Sequence, residues 1–198
     1  MTIVFATNNR HKVDEIRSAL PKNISISSLK EAGIYIDIPE PHDTLQDNAA
    51  EKARTIHQLT GSHCFSEDTG LEVYSLNNEP GVHSARYAGE DKSFDKNIDK
   101  LLARLDDSSD RQARFRTVIC LILGEKEHFF EGICEGSILK EKRGNQGFGY
   151  DPVFVPTGSG KTFAEMTIEE KNRFSHRRKA MDKLVVFLNN LMDKGKNA

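Results

Sequence analysis

Two adjacent carboxylates, Glu67 and Asp68, follow the apolar residues Cys64 and Phe65 where an apparent strand meets a turn. Adjacent acids repel each other, and a divalent cation relieves that repulsion; oxygen ligands suit Mg²⁺ bound together with substrate phosphates. One of the carboxylates could also orient and deprotonate a water for attack on phosphorus. Glu40, in the loop before the second predicted helix, is an additional candidate metal ligand. The alternative is an acidic pair in a solvated turn.

Basic residues crowd the start of a helix that follows the first apolar strand. Each cation at a helix N-terminus costs roughly 0.3–1 kcal/mol unless an anion lies nearby, so either a phosphate-bearing ligand binds here or the helix start is simply solvated. The candidate ligand-binding residues are Thr7, Asn8, Asn9, Arg10, His11 and Lys12. The segment from Lys171 to Lys179 repeats this pattern at a second helix start, which favours one polyanionic ligand for both.

Three further patterns bear on ligand binding. Lys52 projects within the apolar stripe of its predicted helix, so it either extends its ammonium to water or points into an anion-binding cleft. The glycine-rich loop over residues 144–152 brings Phe148 or Tyr150 to stack on a planar base, and Asp151 to accept hydrogen bonds; otherwise its aromatics fill the core. Residues 157–162 look like the end of a P-loop, but the pattern requires glycine where Val155 stands, so we interpret them as a tight turn.

The elements that position these residues mix helices and strands throughout, which indicates an α/β or α+β protein. Apolar periodicity predicts helices over residues 13–20, 44–61, 94–105 and 175–193 and a long hairpin from strands at 115–123 and 128–134. Thr44 with Asp47 resembles a capping box, and Ser93 is a possible N-cap.

Composition narrows the class of protein. The 198 residues suit one large domain or two small lobes, and a net charge of -2 with a pI near 6.4 gives no electrostatic basis for nonspecific nucleic-acid binding. Three widely spaced cysteines, at positions 64, 120 and 134, indicate reduced thiols rather than a disulfide framework or a zinc site. The longest apolar run, residues 118–123, is too short for a membrane span, so we expect a cytoplasmic protein.

Six ordered motifs resemble those of the inosine triphosphate pyrophosphatase family, and together they cover nearly the whole chain. The motifs are Thr7-Asn-Asn-Arg-His-Lys12, Asp47-Asn-Ala-x-x-Lys52-Ala, Glu67-Asp-Thr-Gly-Leu71, Pro80-Gly-Val-His-Ser-Ala-Arg86-Tyr-Ala-Gly89, Gly147-Phe-Gly-Tyr-Asp-Pro152, and Lys171 with Ser175-His-Arg177. The resemblance implies one domain over residues 1–198 with an elongated two-lobed α/β fold, a long mixed β-sheet flanked by helices, and an active-site cleft between the lobes. It also implies a homodimer that uses Mg²⁺ to cleave ITP, dITP or XTP between the α and β phosphates. From the charge and the short apolar runs we expect no stable nucleic-acid partner and no membrane partner.

The same resemblance implies roles for individual residues. Asp68 would be the catalytic acidic residue and a metal ligand, and Glu40 would be a further Mg²⁺ ligand. The residues expected to contact the nucleotide are Thr69, Phe148, Gly149, Tyr150, Asp151, Lys171, His176 and Arg177. The ring at position 148 would stack on the base, the His176-Arg177 pair would lie near its 6-position oxygen, and Lys52 and Arg86 would fit an anionic cleft.

This chain departs from the family pattern in its acidic motif. Ser66-Glu67 stands where many members have Ala-Asp, so Glu67 is a candidate metal ligand that reaches the metal differently, and Thr69 replaces a common serine. Two other functions remain open: a nucleotide pyrophosphatase with another base specificity, and a noncatalytic nucleotide sensor. The presence of Asp68, Lys12 and Lys52 argues against the sensor.

Overall fold

The computed structural model of the chain describes residues 2–21 and 23–196. The helices in this part are α1 (Arg10–Ala19), α2 (Leu45–Thr60), α3 (Phe94–Arg104), α4 (Ile168–Asn172) and α5 (His176–Lys196). The strands are β1 (Thr2–Phe5), β2 (Ser25–Ser28), β3 (Cys64–Val73), β4 (Glu79–Pro80), β5 (Gln112–Leu123), β6 (Lys126–Ile138) and β7 (Phe154–Pro156). The α/β class, the four long helices and the hairpin of β5 and β6 are confirmed.

The strands form one mixed sheet in the order β2-β1-β3-β5-β6-β7, with β4 paired to β3. β1 is parallel to both β2 and β3, whereas β4 pairs with β3, and β7 with β6, in antiparallel fashion. The helix α1 is the crossover between β1 and β2, as parallel neighbours require. Phe5, the last residue of β1, pairs with Phe65 of the parallel strand β3. The turn that follows β1 therefore lies beside the acidic pair that follows Phe65 in β3.

The helix ends follow the predicted capping residues. Thr44 caps α2 by accepting the Asp47 N–H at 3.0 Å, and Gly61 ends the helix in the left-handed conformation at φ 63°. In a full capping box the Asp47 carboxylate would accept the backbone N–H of Thr44. Here it accepts the Thr44 hydroxyl at 2.6 Å instead, so only the bond from the Asp47 N–H to Thr44 is that of a capping box. Ser93 caps α3 through the Lys96 N–H.

The chain folds into two compact units. The first comprises Met1–Asp68, Thr117–Gly132 and Arg177–Ala198, and the second comprises Thr69–Arg116 and Ile133–His176. In the first unit, the rings of Phe5 and Phe65 stack at 4.5 Å between centroids, in a core shared with α1 and α5. A second apolar cluster of that unit packs beneath α2.

The core of the second unit gathers apolar side chains from α3 and from the parts of the strands that belong to it. Phe115 and Phe154 meet edge to face at 4.7 Å, and Phe163 packs against both rings. The three cysteines are buried thiols, as predicted. Within the described residues, no helix combines the length and apolarity that crossing a membrane requires.

Candidate active site

Lys52 joins two carboxylates in the first unit. Its side chain lies on the buried face of α2 and is only 7 % exposed. The Nζ atom is 3.1 Å from Asp68 Oδ1 and donates a second hydrogen bond to Glu40 Oε1. A buried ammonium needs such partners, because an unpaired buried charge is costly. Of the two alternatives for Lys52, extension to water is therefore excluded, and an ammonium directed at an anion is realised with the protein's own carboxylates.

Burial and mutual charge shift the pKa values of these three groups. Burial raises the pKa of Asp68, and the neighbouring Glu40 charge raises it further, against the opposing effect of Lys52. Burial also acts to raise the pKa of Glu40, but the charge and hydrogen bond of Lys52 outweigh it and the pKa lies below its usual value. The pKa of Lys52 is raised, because the two carboxylates outweigh the effect of its burial.

Glu67 and Asp68 lie in the middle of a strand rather than at a turn, which corrects the prediction. β3 continues from Cys64 to Val73, and successive side chains of a strand point to opposite faces. Asp68 therefore meets Lys52, while Glu67 meets different partners. The repulsion between adjacent acids is relieved by this separation and by the lysine or arginine that each carboxylate contacts.

Glu67 occupies the centre of a buried charge network. Lys12 Nζ lies 3.0 Å from its Oε1, and Arg177 Nε donates to its Oε2 at 2.9 Å. Arg177 also pairs with Glu15 of α1. Burial alone would raise the pKa of Glu67, but the charges of Arg177 and Lys12 outweigh it and hold the pKa well below its usual value.

The network explains part of the positive charge at both helix starts. Carboxylates of the protein, Glu67 and Glu15, neutralise Lys12 in α1 and Arg177 in α5. The positive charge of Lys12 and Arg177 alone is therefore weaker support for a polyanionic ligand than the sequence indicated. Lys171 belongs to the separate short helix α4 rather than to the first turn of α5.

The turn between β1 and α1 presents its polar groups around a capped helix start. Asn9 caps α1 by accepting the Lys12 N–H at 3.3 Å, and Thr7 Oγ1 accepts the Asn9 N–H at 3.2 Å. Asn8 donates from its side-chain amide to the Ile36 carbonyl at 3.2 Å. Arg10 and His11 are exposed in the first turn. This arrangement of N–H groups and cations suits phosphate oxygens.

In the second unit, Asp151 organises the glycine-rich loop. Its Oδ2 accepts the Phe148 N–H at 2.9 Å and a hydrogen bond from Lys171 Nζ at 2.6 Å. Gly147 has φ +75°, and a Cβ atom there would overlap Asp151 Oδ2, so any other residue would be strained and would displace that carboxylate. Lys171 Nζ also lies 5.4 Å from the centre of the Phe148 ring. Gly149, the next left-handed glycine, has open space around it.

The two aromatics of the loop have different roles. Tyr150 is 3 % exposed and its hydroxyl donates to the Ser84 carbonyl at 2.9 Å, so Tyr150 fills the core and holds the neighbouring segment. Burial raises its pKa. Phe148 is half-buried and its ring lies 6.1 Å from that of Phe94 at a tilt of 49°. Of the two rings proposed to stack on a base, only Phe148 presents a partly open face.

The other predicted nucleotide-binding residues of the second unit have partners of different kinds. His176 is 2 % exposed, and its ring stacks on Phe115 at 4.7 Å with an interplanar angle of 16°. Thr69, in β3, and Arg86, at the end of the 3₁₀ segment Gly81–Arg86, are half-buried.

Lys161 pairs with Glu170 at 2.8 Å, and its segment forms turns after β7, as expected for a tight turn rather than a P-loop.

The carboxylates on Lys52 fit a Mg²⁺ ion. Glu40 and Asp68 bring hard oxygen atoms to one place, and Mg²⁺ binds through one or two carboxylates with water and substrate phosphates completing its ligands. In the described ranges, 2–21 and 23–196, no group of three or more His, Cys, Asp or Glu side chains could hold a metal ion. Glu67 by itself pairs with two cations, Lys12 and Arg177. Glu40 and Asp68 share one cation, Lys52, and so keep a net negative charge, which makes this pair the better match.

Sequence reasoning missed two residues of this region, Glu15 and Asn48. Glu15 lies three positions after Lys12 on α1 and carries no motif, so its pairing with Arg177 has no signal in the sequence. Asn48 belongs to the Asp47-Asn-Ala motif, and a fully buried asparagine in a first helical turn is a signal only once its burial is known.

Comparison with known proteins places the chain in a family. Residues 3–187 match the Ham1 family. The chain belongs to the Ham1 family. It is 52% identical over 190 residues to a Flavobacterium psychrophilum protein named dITP/XTP pyrophosphatase, covering 96% of this chain and 100% of the relative. A Porphyromonas gingivalis protein of the same name is 53% identical over 187 residues, covering 94% and 96%. The resemblance seen in the motifs is confirmed.

Solved structures of Ham1 proteins share the fold. The Staphylococcus aureus Ham1 protein is 37% identical with a TM-score of 0.87, and the Coxiella burnetii HAM1 protein is 37% identical with a TM-score of 0.88. Each comparison covers 96% of this chain and 99% of the other. The predicted mixed sheet flanked by helices is thus the fold of the Ham1 family.

Proposed function

We propose that this Ham1-family protein hydrolyses ITP, dITP and XTP to the nucleoside monophosphate and pyrophosphate, and so removes nonstandard purine nucleotides from the nucleotide pool. The observation that carries this proposal is the 52% identity, over the full length of the relative, to a protein named dITP/XTP pyrophosphatase. The chain also retains the ionisable groups that the reaction needs in the first unit.

Asp68 is the general base in this proposal. Its carboxylate orients a water and accepts a proton from it while the water oxygen bonds to the α-phosphorus. The bond from the α-phosphorus to the bridging oxygen breaks, and pyrophosphate leaves with the bonding electrons. Burial raises the pKa of Asp68, which makes its carboxylate a stronger base than an exposed aspartate. Lys52 fixes the orientation of that carboxylate at 3.1 Å.

The phosphate chain meets Lys12 and the turn before α1 in this proposal. Lys12 supplies an ammonium, and the capped turn before it, with Thr7, Asn8 and Asn9, supplies N–H, hydroxyl and amide groups. Glu40 and Asp68 would hold Mg²⁺, which when bound neutralises phosphate charge and stabilises the leaving pyrophosphate. Lys52 lowers the pKa of Glu40, opposes the rise in the pKa of Asp68, and holds the two carboxylates close together.

The base meets the glycine-rich loop in this proposal. Phe148 stacks on the purine, and Lys171 and Asp151 hold the loop that carries it. Donors to the 6-oxo oxygen, assigned by resemblance to His176 and Arg177, cannot pair with the 6-amino group of adenine. A site left with unpaired donors discriminates strongly, so ATP is a poor substrate.

We also propose, from the family resemblance, that the protein is a cytoplasmic homodimer. Light scattering on the purified chain tests the oligomeric state: a mass near twice 22.3 kDa is expected, and a mass near 22.3 kDa would contradict the dimer.

Product analysis tests the function directly. Purified protein is incubated with Mg²⁺ and ITP, XTP, GTP, ATP or dTTP, and pyrophosphate is distinguished from orthophosphate. We expect pyrophosphate and monophosphate from ITP and XTP, with little product from ATP and GTP. Preferential cleavage of dTTP would identify a pyrophosphatase of another base specificity. Binding of ITP without turnover would identify a nucleotide sensor instead.

A further inference from the structure

We propose that Asn48 is a positioning residue that directs the Glu40 carboxylate toward Asp68 and the bound metal ion. Asn48 lies in the first turn of α2 and is fully buried, with 0 % of its surface exposed. Its side-chain amide reaches back to His42, two residues before the Thr44 cap. There it accepts the His42 N–H at 2.9 Å and donates to the His42 carbonyl at 2.9 Å.

The two hydrogen bonds fix the backbone of His42 on both sides. An amide side chain can donate and accept at once, whereas a carboxylate only accepts and an aliphatic side chain does neither. Both bonds are partly buried, and the Asn48 side chain that makes them is fully buried, so losing it would leave the His42 N–H and carbonyl without these partners. Asn48 thus acts as a clamp that holds residue 42 against α2.

The clamp controls Glu40 through the short stretch of chain between them. Glu40 is flanked by Pro39 and Pro41, whose rings restrict φ and which have no N–H to anchor the loop elsewhere. Fixing His42 therefore fixes the direction in which Glu40 leaves the backbone. Asn48 precedes Lys52 by one helical turn on the same face of α2, so one helix face both holds the loop and binds the Glu40 carboxylate.

This inference rests on the proposed metal site, and it differs from a purely structural role in what it predicts. A structural asparagine affects folding alone, whereas a positioning residue affects the affinity for the metal. Replacing a residue that orients a metal ligand without itself binding the metal typically changes the metal affinity by about 10–100-fold. Metal affinity is therefore the property to measure.

The second unit contains a matched control. Asn97 occupies the same position in α3 that Asn48 has in α2, four residues after the N-cap, and is 2 % exposed. Its amide accepts the Ala88 N–H at 2.7 Å and donates to the Ala85 carbonyl at 2.9 Å. Asn97 is thus an equally buried clamp on a segment that carries no proposed metal ligand.

The experiment measures Mn²⁺ binding to the protein alone by the electron paramagnetic resonance signal of free Mn²⁺. The variants are Glu40→Gln, Asn48→Leu, Asn48→Ala and Asn97→Leu, with thermal unfolding recorded for each. We expect Asn48→Leu and Glu40→Gln to weaken Mn²⁺ binding tenfold or more, and Asn97→Leu to bind Mn²⁺ like the wild type despite a lowered Tm. Where Asn48→Leu fails to fold, Asn48→Ala, which leaves room for water at His42, decides.

Two results would overturn the inference while leaving the proposed metal site intact. In the first, the Asn48 variants bind Mn²⁺ as tightly as the wild type while Glu40→Gln binds it more weakly. In the second, Asn97→Leu loses as much Mn²⁺ affinity as Asn48→Leu. Equal Mn²⁺ binding by the wild type and Glu40→Gln would instead refute the metal site of the proposed function, and the inference with it. Turnover of ITP tests the reaction itself separately.

Discussion

Glu67 and Asp68 are neighbours in β3, yet their carboxylates contact different lysines. Glu67 Oε1 lies 3.0 Å from Lys12 Nζ, and Asp68 Oδ1 lies 3.1 Å from Lys52 Nζ. The alternation of side chains along a strand separates the two acids by environment. Burial raises the pKa of Asp68, whereas the cations around Glu67 lower its pKa against the effect of burial. One acid is thereby suited to accept a proton and the other to remain a permanent anion.

Replacing Asp68 by asparagine should abolish most turnover. Asp68→Asn keeps the shape of the side chain but removes the base and one proposed metal ligand, so we expect kcat/KM for ITP to fall by about 10²–10⁴-fold. Steady-state pyrophosphate release measures the effect. Asp182→Asn, at an exposed ion pair with Arg178 on α5, should keep wild-type turnover. Unchanged turnover in Asp68→Asn would refute its catalytic assignment.

The Glu67 network should make stability depend on pH in the acid range. Because the pKa of Glu67 is lowered in the folded state, its contribution is fully present above the unfolded pKa of about 4.3 and is lost as the pH falls toward the folded value. Glu67→Gln should lower the free energy of unfolding by about 3–5 kcal/mol at pH 7, since it leaves buried cations with one carboxylate fewer. Below pH ~5, the free energy of unfolding of this variant should also fall less steeply with decreasing pH than that of the wild type.

Urea denaturation at several pH values tests this dependence. The matched variant is Glu31→Gln, which removes an exposed carboxylate paired with Arg17; the effect at pH 7 should be much smaller. If the free energy of unfolding of Glu67→Gln falls with decreasing pH as steeply as that of the wild type, other groups cause the acid sensitivity.

Alanine at Gly147 should weaken nucleotide binding more than alanine at Gly149. Both glycines have positive φ, +75° and +60°, so both variants carry backbone strain of about 1 kcal/mol. Only at position 147 does the new Cβ displace the Asp151 carboxylate that binds the Phe148 N–H. We expect the KM for ITP to rise about tenfold further in Gly147→Ala, which corresponds to about 1.4 kcal/mol of lost hydrogen bonding. Equal KM values would exclude this role of Asp151.

The cysteines should resist thiol reagents in the folded protein. Burial raises the pKa of Cys64 to about 11 and that of Cys120 to about 12, and Cys134 is buried as well. Since the thiolate is the reactive form, we expect very slow reaction with Ellman's reagent at pH 8 and three reactive thiols in guanidinium chloride. Rapid reaction of the native protein would mean that these thiols are accessible in solution.

Local signals in the sequence were enough to find most elements and the family. Thr44 and Gly61 delimit α2 because capping and left-handed residues act within a single turn. The motifs around Lys12, Asp68 and Asp151 were enough to indicate a phosphate-bearing nucleotide ligand. Lys52 was recognisable as unusual because helical periodicity put it among apolar residues.

The partners of the charged residues could not be predicted from the sequence. Arg177 and Glu15 are separated by 162 positions, and no local rule relates them. The extent of β3 was also misjudged. Glu67 and Asp68 resemble a turn because they are a polar pair, but in the structure both side chains are buried and ion-paired with lysine or arginine, which allows the strand to continue.

The sequence by itself therefore determined most elements and the family, and it supplied the candidate residues for the chemistry, since propensity, capping and motif spacing act over a few residues. Only the tertiary structure decided which carboxylate meets which cation, and with it the direction in which each pKa shifts. The physical reason is that burial and Coulomb interactions depend on distances through space, and folding brings together groups that the chain keeps far apart.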